Sequence, residues 1–86
     1  MTNVTISVPD YADAAGLTFH STPDASIRVT QYEGETVILA NAAGLTELAT
    51  RLLALAQDGL PEGFHLHLDD GTVLQRGSVG LVLERK

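Results

Sequence analysis

The sequence has no cysteine and no tryptophan, and its 86 residues include only four aromatic and five basic side chains. Without cysteine there is no disulfide framework, thiolate metal site or thiol nucleophile. Tyr11, Phe19, Tyr32 and Phe64 are scattered, so they make no stacking platform for nucleobases. Five basic residues against eleven acidic ones leave a formal net charge of −6, the wrong sign for a phosphate-backbone partner. The longest uninterrupted apolar runs, Val37 to Ala40 and Leu52 to Ala56, fall far short of the ~20 residues of a membrane span. Met1-Thr2-Asn3-Val4-Thr5 has neither a basic start nor a following apolar core of signal-peptide length. These absences predict a cytoplasmic protein with neither nucleic acid nor membrane as its partner.

What is there is a core. Hydrophobic residues make up 44% of the chain and the mean hydropathy is +0.12, which excludes a disordered acidic tail. The length suits one domain spanning residues 1–86. Charge is uneven along it: residues 1–75 hold ten acids against Arg28 and Arg51, a formal −8, and residues 76–86 hold Arg76, Arg85 and Lys86 against Glu84, a formal +2. The basic end reads as a solvated strand end.

Val4, Ile6 and Val8 alternate with polar residues and predict a strand closed by Pro9-Asp10. Tyr11 to Gly16 reads as a loop, Leu17 to His20 as a short strand, and Ser21-Thr22-Pro23-Asp24 as a turn. Residues 26–32 and 36–40 predict a hairpin around Glu33-Gly34, because Gly34 accepts the positive φ that primed turns need. That register sets Val29 opposite Ile38 and Ile27 opposite Ala40 on one face. Arg28 then opposes Leu39, and Thr30 opposes Val37, on the other.

A helix over about 42–58 follows from Leu45, Leu48, Ala49, Leu52, Leu55 and Ala56, an apolar stripe at helical spacing. Thr46, Glu47, Thr50 and Arg51 form the opposite, solvated side, with Glu47 and Arg51 an i,i+4 pair. Asn41 is the N-cap, Gly59 the left-handed C′ residue and Pro61 the stop. Burial of the four leucines of the stripe would contribute roughly 6–12 kcal/mol before chain entropy. Phe64, Leu66 and Leu68 then alternate with His65, His67 and Asp69 as a strand; Asp70-Gly71 and Gly77-Ser78 are turns; Val79, Leu81 and Leu83 lie on one side of a last strand. The order strands, helix, strands predicts an α+β fold, an antiparallel sheet with one helix packed on one face.

His65, His67 and Asp69 are the one constellation that suits chemistry, two imidazoles and a carboxylate on one strand face at Zn²⁺-compatible spacing. A polar strand face is the plainer account, and no cofactor is expected. Ser78 lacks the flanking pattern of a nucleophile elbow, Asp69-Asp70 point apart as strand neighbours, and no glycine set makes a phosphate loop, so no enzyme signature remains. The sheet face away from the helix displays Arg28, Thr30, Tyr32, Val37, Leu39, His65, His67 and Val82, more apolar than solvation requires. Either residues 3–20 fold over it or a partner does.

Asn-x-x-Gly-Leu at 41–45 opening a Leu/Ala helix, His65-Leu66-His67-Leu68-Asp69, then Gly77-Ser78 and a terminal strand together resemble the immunity protein thirty-two family over about residues 40–85. The resemblance implies a non-catalytic antidote that binds and blocks the protein toxin of a bacterial polymorphic-toxin system. It carries over onto Asn41, Gly44, Leu45, His65, His67, Asp69, Gly77 and Ser78. Asn41, Gly44, Gly59 and Gly77 are expected to be structural. His65, His67 and Asp69, with Tyr32 and Arg28 beside them, are expected to touch the partner. The alternatives are a small metal- or ligand-binding domain using His65, His67 and Asp69, and a self-associating module that forms a homodimer.

Overall fold

The computed structural model describes residues 1–20 and 22–86, and the fold is α+β. Its elements run β1 (Ile27–Tyr32), β2 (Glu35–Ala40), α1 (Ala42–Ala56), β3 (His65–Leu68) and β4 (Leu81–Glu84). β1 and β2 pair antiparallel in the register the sequence predicts, Ile27 with Ala40, Arg28 with Leu39, Val29 with Ile38 and Thr30 with Val37. Both turn residues have positive φ, 49° at Glu33 and 81° at Gly34, the type I′ geometry whose twist matches the strands. β3 and β4 form a second antiparallel pair, His65 with Glu84, Leu66 with Leu83, His67 with Val82 and Leu68 with Leu81.

The two pairs are separate small sheets rather than one continuous ladder. Residues 75–79 bridge them. Gln75 N–H donates to the Ile27 carbonyl at 2.8 Å, and Val79 N–H donates to the Val29 carbonyl at 2.8 Å. Four residues thus span the distance covered by two of β1, so no regular ladder forms. The Ser78 hydroxyl instead accepts the Val29 N–H at 3.2 Å. Val79 accordingly lies before β4 and outside it, a correction to the longer strand read from the alternation.

Ile27, Val29, Leu48, Leu68 and Leu74 form the buried cluster, with Ala40, Leu66, Val73, Leu81 and Leu83 against it. Leu74, in the turns between β3 and β4, is a core residue that no periodicity marks. It joins the cluster because Asp69 O accepts the Leu74 and Thr72 N–H groups, folding the segment inward.

The helix face is rotated from the predicted one. Gly44, Leu48, Arg51, Ala54 and Leu55 are buried, while Leu45 and Leu52 stay 52% and 49% exposed. Two leucines of the stripe, not four, therefore supply burial, roughly 3–6 kcal/mol. The cause is the N-terminal segment. Residues 1–20 form no strand among the described residues, so the strands expected at 4–8 and 17–20 are absent. Instead the segment lies along the polar side of α1. Gln57 Nε2 donates to the Pro9 carbonyl at 3.0 Å, and Gln57 Oε1 accepts the Tyr11 N–H at 3.1 Å. The Tyr11 ring meets Phe64 edge-on at 5.5 Å. The Arg51 guanidinium carbon lies 4.7 Å from the centre of the Phe19 ring, and Arg51 Nη1 lies 3.6 Å from Glu47 Oε1. A guanidinium flanked by an aromatic ring and a carboxylate tolerates burial that a bare cation does not. Pro23 and Asp24 do form a turn, while Ser21 of that expected turn lies outside the described residues.

α1 ends at Ala56, with Gln57 as an extended C-cap. Gly59 has φ 94°, but two positions beyond that cap rather than one. The terminal carbonyls are satisfied from elsewhere: Arg85 Nη1 donates to Leu55 O at 2.7 Å and to Gln57 O at 2.9 Å. The basic end is therefore not simply a solvated strand end, because its central residue holds the negative end of the helix. Among the described residues no helix is long and apolar enough to cross a membrane.

Candidate partner-binding face

Alternation along four strands sorts the residues into two sides. Ile27, Val29, Leu66, Leu68, Leu81 and Leu83 turn to the shared core. Arg28, Thr30, Tyr32, Glu35, Val37 and Leu39 of the first pair turn outward, as do His65, His67, Val82 and Glu84 of the second. Tyr32 and Leu39 are 69% and 67% exposed, and Val37 and Val82 are also exposed. The N-terminal segment spends itself on α1, so it is not the cover for this face. Of the two covers open at the sequence level, the chain's own segment is the one the fold removes.

His65 and His67 are brought together, their rings 5.0 Å apart and edge-to-face. His65 Nδ1 lies 3.0 Å from the Gly63 carbonyl, which only accepts, so that nitrogen carries the proton in the bond. Asp69 lies one residue past the end of β3. Its backbone carbonyl anchors the following turn, accepting the Thr72 hydroxyl at 2.8 Å and the Leu74 N–H at 3.1 Å. Among the described residues no three His, Cys, Asp or Glu side chains gather as a metal site would need. Arg28 reaches sideways along the face, its Nε donating to Gln75 Oε1 at 3.3 Å. Tyr32 stands opposite Glu35 at the turn end of the hairpin.

The residues expected to be structural hold this face in place. Asn41 Oδ1 accepts the Gly44 N–H at 2.8 Å, which caps the helix, and also the Ser26 N–H at 3.0 Å. Its Nδ2 donates to the Asp24 carbonyl at 2.7 Å, so one side chain fixes α1 and the start of β1 together. Gly44 lies where α1 touches that start: a Cβ there would fall against the Ser26 carbonyl oxygen and 2.9 Å from Ile27 Cγ1. Gly77 has φ 88° in the turn that delivers Ser78 to Val29. The Gly-Ser pair is thus a clamp on β1.

A groove of about 320 Å³ between the N-terminal segment and α1 is lined by Phe19, His20, Thr46, Glu47, Thr50 and Arg51. The one cation in it is engaged by Glu47 and Phe19. Three tertiary contributors carry no sequence signal: Arg85 on the end of α1, Gln57 on the N-terminal segment, and the Arg51–Phe19 contact. Each acts across more than 25 residues, and no local pattern signals such a pairing.

Fold and site together define a small α+β protein whose two small sheets carry mixed apolar and polar outward sides. A family model described as Immunity protein 32 matches residues 35–86, which is 52 of the 86 residues, and the chain belongs to that family. Comparison with curated proteins and with solved structures returned no match. The matched region starts at β2 and includes Asn41, Gly44, Gly77 and Ser78, the residues that grip β1 from outside it.

Proposed function

We propose that this protein is a non-catalytic antidote that binds a cognate bacterial toxin domain in the cytoplasm of the producing cell and blocks it by occlusion. Membership of the immunity protein family carries the reading. The outward sheet face supports it, with Tyr32, Arg28, His65, His67 and Asp69 as the contacts. Aromatic and Arg side chains surrounded by β-branched neighbours are the composition that anchors protein interfaces. A net charge of −6 steers the chain toward a basic toxin surface and speeds encounter.

The test is co-expression with the C-terminal domain of a large secreted protein encoded immediately upstream. Growth is restored and the two proteins purify together. Tyr32→Ala, or His65→Ala with His67→Ala, weakens the complex by about tenfold or more while leaving circular dichroism unchanged. The association rate falls as salt is raised. An unprotected culture and no complex would sink the antidote reading; a capture rate indifferent to ionic strength would remove only the steering.

A further inference from the structure

The outer edge of β2 is open. Edge strands present unpaired N–H and C=O groups, and proteins ordinarily protect them with Lys, Pro, a bulge or an inward charge. β2 reads Glu35-Thr36-Val37-Ile38-Leu39-Ala40, pairs residue for residue with β1 without a bulge, and is exposed from Glu35 to Leu39. Among the described residues no backbone hydrogen bond joins its other edge to another segment. The molecule also exposes 6195 Å², whereas a folded monomer of 9.1 kDa scales to about 4,900 Å². That excess is larger than the roughly 800 Å² one partner gives to a standard interface.

Charge on the outer hairpin face indicates what fits the edge. Arg28 is its one cation and Glu35 its one carboxylate, and they stand at opposite ends of a strip formed by Thr30, Val37 and Leu39. A strip positive at one end and negative at the other complements itself when turned end for end, which is what a two-fold axis does. We propose that β2 pairs antiparallel with β2 of a second copy of this chain, about a two-fold axis at Ile38. Ile38 then faces its own counterpart, and Val37 of each copy lies opposite Leu39 of the other. Facing residues share a side, so the apolar strip runs unbroken across four strands. Arg28 of one copy comes within about 12 Å, Cα to Cα, of Glu35 of the other, a span that two long side chains close. The seam uses β2 alone, and His65 and His67 lie on β3, so both stay outside it in each copy. The proposal is independent of the antidote reading.

Sedimentation equilibrium of the full chain from micromolar to millimolar concentration tests it, with circular dichroism as the control for folding. A reversible dimer is expected. Arg28→Glu and Glu35→Arg each weaken it by roughly tenfold, because both cross-copy pairs become like-charged. An equimolar mixture of the two variants regains association, since the mixed dimer again pairs opposite charges at both ends. Val37→Lys, at an exposed edge position, gives a folded monomer. A wild-type chain that stays monomeric, or a dimer indifferent to Val37→Lys, overturns the proposal. So does a mixture that fails to recover. If Val37→Lys instead weakens capture of a toxin domain by a monomeric chain, the edge belongs to the toxin's strand.

Discussion

Gly44 is the position where local and tertiary preferences disagree most sharply. In an exposed helix interior, replacing Gly by Ala stabilises by about 1 kcal/mol. Here the added methyl group meets the Ser26 carbonyl oxygen, just before β1, and Ile27 Cγ1 at its first residue. Backbone cannot step aside as a flexible side chain can, and overpacking of this kind costs about 1–3 kcal/mol. Gly44→Ala is therefore destabilising, and urea unfolding monitored by circular dichroism shows a lower midpoint with the slope unchanged. The sign decides the matter: a higher midpoint would mean that α1 and β1 are not in close contact. Asn41 shows the same economy of position, since its cap was legible from its place before the helix and its bonds to Ser26 and Asp24 were not. Nothing local distinguishes Arg85 from an ordinary solvated charge. The two carbonyls it satisfies lie 28 and 30 residues away.

Among the elements, the hairpin was legible down to its register, and the helix in its start and its cap but not in the face it buries. The hairpin advertises itself locally, through strict alternation and a turn whose geometry selects glycine at its second position. α1 carries apolar residues on more than one flank, so a stripe drawn from hydropathy alone favours Leu45 and Leu52 over Arg51. Burial chose otherwise, because Phe19 and Glu47 make the Arg51 side acceptable to the interior. That assignment can be measured. Leu48→Ala costs about 2–5 kcal/mol in chemical denaturation, as deletions in a packed core do. Leu52→Ala, at a half-exposed site, costs less than about 1 kcal/mol. Equal losses at the two positions would restore the predicted face. The outer sheet residues were also placed correctly by alternation, whereas the fate of residues 1–20 was not. An alternating run such as Val4-Thr5-Ile6-Ser7-Val8 states a capacity for pairing, and only a free neighbouring strand turns it into a ladder.

For the molecule as a whole, the radius of gyration is 13.6 Å, against about 12 Å for a compact domain of this length. The difference matches the exposed β2 edge and an N-terminal segment that extends along the helix instead of completing a sheet. The bonds that tie the parts together are long in sequence: 48 residues from Pro9 to Gln57, 47 from Arg28 to Gln75 and 49 from Val29 to Ser78. β1 and β2 close around a two-residue turn, an event of microseconds in isolation, yet the outer edge of β1 is completed only when residues 75–79 arrive. Closing a loop of that length costs entropy before any contact repays it, which slows folding. Ser78→Ala leaves the buried Val29 N–H without its acceptor and costs about 1–3 kcal/mol. Stopped-flow experiments locate that loss in time. With the clamp formed late, Ser78→Ala speeds unfolding and leaves the folding rate nearly unchanged. A slowed folding rate of matching size would place the clamp in the nucleus instead. The hairpin that is most local in the sequence thus owes its outer edge to a residue 49 positions further along the chain.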